Sequence, residues 1–196
     1  MAVTKLSNSG IKTGIKKYDS MLAGNAAFDP AATWLIQRVT PANGTASITF
    51  SSIPQTYQHL QIRCMYQDTV GTSGLYNAYL YPNADTGNNY NNHQLYGNGS
   101  TVSVFGQTGN VGYSIPIIGT RNNDTQLGVS IVDIHDYTST SKYKTIRSIA
   151  GADNNGSGSI YLCSALWMST SAITSLKIDA AASFKTGTTF ALYGFK

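Results

Sequence analysis

Leu127-Gly-Val-Ser-Ile-Val-Asp-Ile-His-Asp-Tyr137, then Lys142-Tyr-Lys-Thr-Ile-Arg-Ser-Ile-Ala-Gly151, then Ser159-Ile-Tyr-Leu-Cys-Ser-Ala-Leu-Trp-Met168 are three runs separated by a Thr/Ser turn and an Asn-Asn-Gly-Ser-Gly turn. Each run is rich in β-branched and aromatic residues and is bounded by turn residues, which predicts three consecutive strands. Side chains along a strand alternate between faces. In the third run Ile160, Leu162, Leu166 and Met168 share one face with Ser164, while Tyr161, Cys163, Ala165 and Trp167 share the other. Both faces are largely apolar, so this strand is expected to be covered on both sides, deep in a sandwich. The middle run alternates more sharply. Lys144 and Ser148 flank Ile146, and Arg147 points with Tyr143 and Ile149.

Strand signals continue outward from this meander. Thr33 to Thr40 and Thr45 to Phe50 flank the turn Pro41-Ala-Asn43-Gly44, and Asn-Gly is a strong hairpin signal. From Tyr57 to Tyr66, Leu60, Ile62, Cys64 and Tyr66 are expected inward and His59, Gln61 and Arg63 outward. Tyr76–Tyr81, Thr101–Phe105, Val111–Ile118, Ile173–Asp179 and Thr188–Phe195 follow as strands, while 82–99 reads as a long surface loop with a short strand at His93–Tyr96. About ten short strands with turn signals between them predict an all-β fold, an antiparallel, jelly-roll-like β-sandwich over residues 31–196.

Residues 1–30 differ in character. Ile11, Ile15, Tyr18 and Leu22 fall at helical spacing in a loop-rich background that also holds Lys16, with Gly14 weakening any helix. A frayed terminus is one reading. An extended, partly helical arm that lies on a partner through Ile11, Ile15, Lys16, Tyr18 and Leu22 is the reading preferred here, because apolar residues so regularly spaced are wasted in solvent.

Composition narrows the function classes. All nine acidic residues are Asp, and only 11% of the 196 residues are charged, which favours turns and strands over helices. The net charge is +4, but beyond residue 30 nine Lys or Arg face seven Asp, so the body carries nine minus seven, or +2. That is too little for a nucleic-acid face, which clusters many more cations. No apolar run has the length of a membrane span or a secretory signal, so a soluble product made in the cytoplasm is expected. Cys64 and Cys163 both lie in apolar strand patterns and read as buried thiols; a disulfide across the sandwich stays open from sequence.

Candidate chemistry is sparse. Asp133 and His135 share a strand face beside Asp136, yet a transition-metal site needs three or four ligands, and His59 and His93 lie in other segments. The reading taken is a polar strand end entering a turn. Gly-x-Ser-x-Gly is absent, Gly156-Ser-Gly158 lacks the context of a phosphate loop, and with no Glu and Asp mainly at turns the paired carboxylates of a glycoside hydrolase are poorly supported. No catalytic residue, metal or cofactor is therefore expected. The Tyr/Asn-rich segment is the remaining candidate. Tyr81, Tyr90, His93 and Tyr96, interleaved with Asn, suit a protein interface or a host-surface glycan; the plainer alternative is a polar loop beside core tyrosines.

Several stretches together carry a resemblance: Lys5-Leu-Ser-Asn-Ser-Gly-Ile-Lys-Thr-Gly14, Lys17-Tyr-Asp-Ser-Met-Leu-Ala-Gly-Asn25, Phe50 to Arg63, Lys144-Thr-Ile-Arg147, Leu166-Trp-Met-Ser-Thr170 and Phe190-Ala-Leu-Tyr-Gly-Phe-Lys196. They resemble short structural proteins of tailed bacteriophages, especially phages of cyanobacteria and other marine bacteria, over most of the chain and least from 82 to 125. The resemblance implies a virion component of the head surface or the tail, and no enzyme. The expectation is a capsid decoration (cement) protein that meets the major capsid protein and neighbouring subunits through its arm, as a trimer or other symmetric oligomer. A tail or fibre module binding host-surface carbohydrate is the alternative, with tail proteins as partners. Nucleic acid and membrane are not expected partners.

Overall fold

The computed structural model describes residues 33–69, 75–110, 117–121, 126–153 and 158–196. The arm residues Ile11, Ile15, Lys16, Tyr18 and Leu22 lie outside them. Two compact units divide the chain, Met1–Trp34 and Leu35–Lys196.

The described residues form twelve strands: β1 (Thr33–Val39), β2 (Thr45–Phe50), β3 (His59–Asp68), β4 (Leu75–Pro82), β5 (Tyr90–Gly97), β6 (Val102–Asn110), β7 (Ile117–Arg121), β8 (Gly128–Ile134), β9 (Lys144–Asp153), β10 (Gly158–Trp167), β11 (Leu176–Phe184) and β12 (Thr189–Phe195). The fold is all-β and the sheet is antiparallel. Its hydrogen-bonded order is β2-β11-β4-β7-β3-β8-β9-β10-β5-β6, and β12 lies between β1 and β3. The ladders of β2 to β12 run antiparallel apart from a short parallel contact of β3 with β7 at Gln67↔Thr120 and Asp68↔Arg121.

The expected meander is present as β8-β9-β10, and the chain is arranged around it. β3 adds to one side (Ile62↔Val132) and β5 to the other (Trp167↔Tyr90). β3 serves two neighbourhoods. Leu60 to Tyr66 pair with β8, whereas its last residues reach β7 and β11. Period-two alternation then builds the core. Leu60, Ile62, Cys64 and Tyr66 of β3 are buried, as expected, with Val132, Ile146, Cys163, Trp167 and Phe190 from neighbouring strands. Ile48, Phe50, Leu80, Leu176 and Ile178 of β2, β4 and β11 join the same cluster. At Gly194 on β12 a Cβ would come within 2.4 Å of the Tyr57 ring. Glycine there lets that ring lie flat on the backbone, and any larger residue displaces it.

Two expectations are corrected. First, residues 82–99 are not a long loop. β5 runs from Tyr90 to Gly97 and is hydrogen-bonded on both sides, to β10 and β6. The Asn-rich composition concealed a strand because ladder pairing on both edges outweighs the low strand propensity of Asn. Second, β10 is not covered on both faces. Cys163, Ala165 and Trp167 are buried, but Ile160 is 65% exposed and Leu162 is exposed with it. Lys144 lies on the face of Ile146 and Ser148, as the alternation of β9 places it, and that face is the interior, where it is fully buried. Its Nζ donates to the carbonyl oxygens of Lys142 (2.8 Å), Thr170 (3.3 Å) and Ser169 (3.5 Å) and sits 5.9 Å from the Trp167 ring centre. Burial lowers the Lys144 pKa, and the nearby Asp136 charge opposes that shift.

Both cysteines are free and buried. Cys64 pairs across to Ser130 on β8, and Cys163 to Ser148 on β9. Two strands therefore separate them, a span of roughly 14 Å at the usual strand spacing, well beyond the reach of a disulfide. Burial pushes the Cys64 thiol from 9.0 up to about 12, and the Cys163 thiol up to about 11. Because the folded values lie above the unfolded one, the stability they contribute is complete below pH 9.0 and is lost as pH climbs through 11 and 12. The expected result is slow thiol labelling in the native state, two labels after denaturation, and a denaturation midpoint that falls between neutral pH and about pH 11. The fall should be shallower in a Cys64→Ala/Cys163→Ala variant. A midpoint equally pH-sensitive with and without the thiols would contradict this assignment.

Candidate functional site

The strands β3, β8, β9, β10, β5 and β6 lie side by side, so residues paired across them form rows on each face. On the face away from the core, one row reads Met65↔Val129↔Gly151↔Ile160↔Gly97↔Val102. The next reads Arg63↔Ile131↔Ile149↔Leu162↔Leu95↔Val104. Nearly every large side chain in the two rows is aliphatic, and all of them are exposed; Val102 and Val104 on β6 are 76% and 79% exposed. Scattered exposed hydrophobics are ordinary, but a contiguous apolar patch on a sheet face marks an interaction site.

The third row is polar: Gln61↔Asp133↔Arg147↔Ser164↔His93↔Gly106. Its side chains are tied together. Gln61 Nε2 donates to Asp133 Oδ1 at 2.7 Å, and Arg147 donates to Asp133 Oδ2 at 3.0 Å. Arg63 Nε donates to Gln61 Oε1 at 2.8 Å, with its guanidinium 5.6 Å from the Tyr193 ring centre. Burial would raise the Asp133 pKa, but the bonds from Gln61 and Arg147 outweigh it and hold the carboxyl below its ordinary value. An exposed ion pair of this kind adds little to stability. Its consequence is positional: a tethered polar rim borders an apolar centre, the usual anatomy of a protein interface.

The apolar face is also shaped. A concavity of about 650 Å³ opens over it. Met65, Val129, Ile131 and Ile149 form its floor, Ile160 lies at one side, and Leu35 and Arg38 of β1 at the other.

The residues singled out from sequence are dispersed. Tyr81 and Tyr90 are buried core residues that meet edge to face at 6.4 Å. Tyr96 is half-buried and stacks on Tyr161 with ring centres 5.2 Å apart. His93 is exposed and belongs to the polar row. Of the four residues singled out, therefore, only His93 and part of Tyr96 are open to a ligand. Asp133 is engaged by Gln61 and Arg147, while His135 packs edge-on against His59 at 5.1 Å. His59 Nδ1 in turn accepts the Asp136 backbone N–H at 3.0 Å. Among the described residues no three His, Cys, Asp or Glu side chains are grouped to hold a metal ion, and no helix is long and apolar enough to cross a membrane.

The sequence did carry a trace of the apolar face: both faces of β10 are apolar. Reading that as two-sided burial within one chain missed the surface. Comparison with family models, curated proteins and solved structures yields no match, so the assignment of this surface stands on its geometry alone.

Proposed function

We propose that this protein is a structural component of a bacteriophage virion, a decoration (cement) protein that works by docking. The observation that carries the docking role is the pair of adjoining apolar rows on the outer face of the β3/β8/β9/β10/β5/β6 sheet. Apolar surface of that continuity costs free energy in water and gains it when a partner covers it. The sequence resemblance to phage structural proteins supplies the virion context. In this reading the strands form a jelly-roll-like β-sandwich, with β2, β4, β7 and β11 as one layer and the strands from β12 to β6 as the other. The N-terminal arm, through Ile11, Ile15, Lys16, Tyr18 and Leu22, ties the domain to the major capsid protein and to neighbouring subunits.

Two measurements test the proposal. Quantitative mass spectrometry of purified virions should find the protein in hundreds of copies. A few dozen or fewer would move it to the tail, where His93 and Tyr96 become the side chains to test on a glycan array, and absence from virions would end the virion reading. Deletion of residues 1–30 should leave a folded domain that no longer joins particles; normal incorporation of the truncated protein would remove the arm from the account.

A further inference from the structure

The outer face carries both halves of a contact. On one side lies the concavity over β3, β8 and β9, floored by Val129 and Ile131. On the other lies β6, whose Val102 and Val104 stand out as the most exposed large hydrophobics of the described residues. β6 pairs only with β5 among the described residues and so presents an open edge. Its sequence, Val102-Ser-Val-Phe-Gly-Gln-Thr-Gly-Asn110, lacks the charges and prolines that usually blunt such edges.

We infer that the occupant of this face is a second copy of the same chain, with the Val102/Val104 ridge of each protomer seated in the concavity of the other. The registers make the face self-complementary. β6 and β8 flank β10 two strands away on either side. A two-fold axis running parallel to the strands over β10 therefore exchanges them. Val104 and Ile131 lie in one row, and Val102 and Val129 in the next, so the same axis sets Val104 over Ile131 and Val102 over Val129. Leu162 of the two copies meets on the axis. This is an isologous contact, each patch serving twice, and it closes at two chains because it consumes the face.

Charge permits the pairing. In the polar row Arg147 and Asp133 already neutralise one another at 3.0 Å, and Arg63 on β3 lies outside the five strands that the axis superposes, so like charges do not confront one another. In the polar row Asp133 comes opposite Gly106, not a second acid. Size permits it as well. The five strands that this axis superposes, β8, β9, β10, β5 and β6, at ~4.8 Å spacing and with two apolar rows and a rim, offer roughly 500 Å² per copy. That is about 1,000 Å² in total, the area at which a specific interface becomes credible. The inference deepens the docking reading above by naming the partner.

Sedimentation velocity on the purified full chain tests it. The wild type should run as a dimer at micromolar concentration. Val104→Lys and Val129→Lys should each weaken association at least tenfold, with denaturation midpoints close to wild type. Val104→Lys lies on an edge strand with its side chain in solvent, so it remains informative should Val129→Lys fold poorly. Oxidising a mixture of Val104→Cys and Ile131→Cys proteins should join one variant to the other. A wild type that stays monomeric, lysine variants that dimerise normally, or Val104→Cys that cross-links efficiently to itself would each overturn the proposal. These assays need no virions. A dimer in a protein absent from particles would end the virion reading alone, and a monomer abundant in particles would end this one alone.

Discussion

Trp167→Ala is expected to lose about 3–5 kcal/mol of stability, through lost burial and an unfilled cavity. A domain of this size holds only about 5–15 kcal/mol in all. The side chain is 2% exposed and lies among Cys163, Ala165, Ile146 and the rest of the core cluster. Its Nε1–H does not end on a backbone carbonyl or hydroxyl, the partners expected of a strand-borne indole, but on Asp85 Oδ2 at 2.7 Å. Asp85 also accepts from Asn89 Nδ2 at 2.9 Å and from the Gly87 N–H at 2.8 Å. The indole thus pins the turn between β4 and β5 to the end of β10. Burial works against the Asp85 charge, but the bonds from Trp167, Asn89 and Gly87 prevail and keep its pKa below 3.8. A depressed carboxyl contributes stability above its unfolded value that disappears as pH falls through the folded one. Trp167→Phe, which keeps the ring and removes the donor, is therefore expected to cost about 1–3 kcal/mol near neutral pH and progressively less in strong acid. Denaturant melts of the three proteins decide the matter. A Trp167→Ala loss no larger than the ~0.5 kcal/mol typical of surface sites would contradict the burial.

Tyr90→Ala is expected to cost nearly as much, about 3–5 kcal/mol, on the same large-to-small reasoning. The ring is 2% exposed, faces Tyr81 edge-on and stands opposite Trp167 in the β5–β10 ladder. Its hydroxyl donates to the Asp85 carbonyl oxygen at 2.6 Å. Tyr90→Phe should therefore lose only the hydrogen bond, about 1 kcal/mol. Read as a loop residue, Tyr90 would cost little to truncate. The structure reverses that expectation, and equal, small losses in both Tyr90 variants would restore it. The Tyr90 and Trp167 substitutions share Asp85 as a partner, so their losses should not add.

Local periodicity and turn chemistry carried far. The meander β8-β9-β10, the inward set Leu60, Ile62, Cys64 and Tyr66, and the opposition of Lys144 and Arg147 across β9 were all legible, because strand alternation is a property of neighbouring residues. The segment from Tyr90 to Gly97 was not. Its Asn and Tyr residues are poor evidence of a strand, and only the two ladders that β10 and β6 offer make it one. Nor was Lys144, whose burial depends on carbonyl oxygens from residues 142, 169 and 170 converging on one ammonium.

For the candidate site the division is sharper. The sequence determined that β8 and β10 each present two apolar faces, since Val129, Ile131, Ile160 and Leu162 alternate with Val132, Ile134, Cys163 and Trp167. It also determined that the chain is all-β, through short strand runs set between turn residues. Which apolar face the chain covers itself was decided only by the tertiary structure. Both faces are apolar, and burial depends on which distant strands arrive to pack there; β2, β4 and β11 contribute to the core on one side, and Val129, Ile131, Ile160 and Leu162 remain exposed on the other.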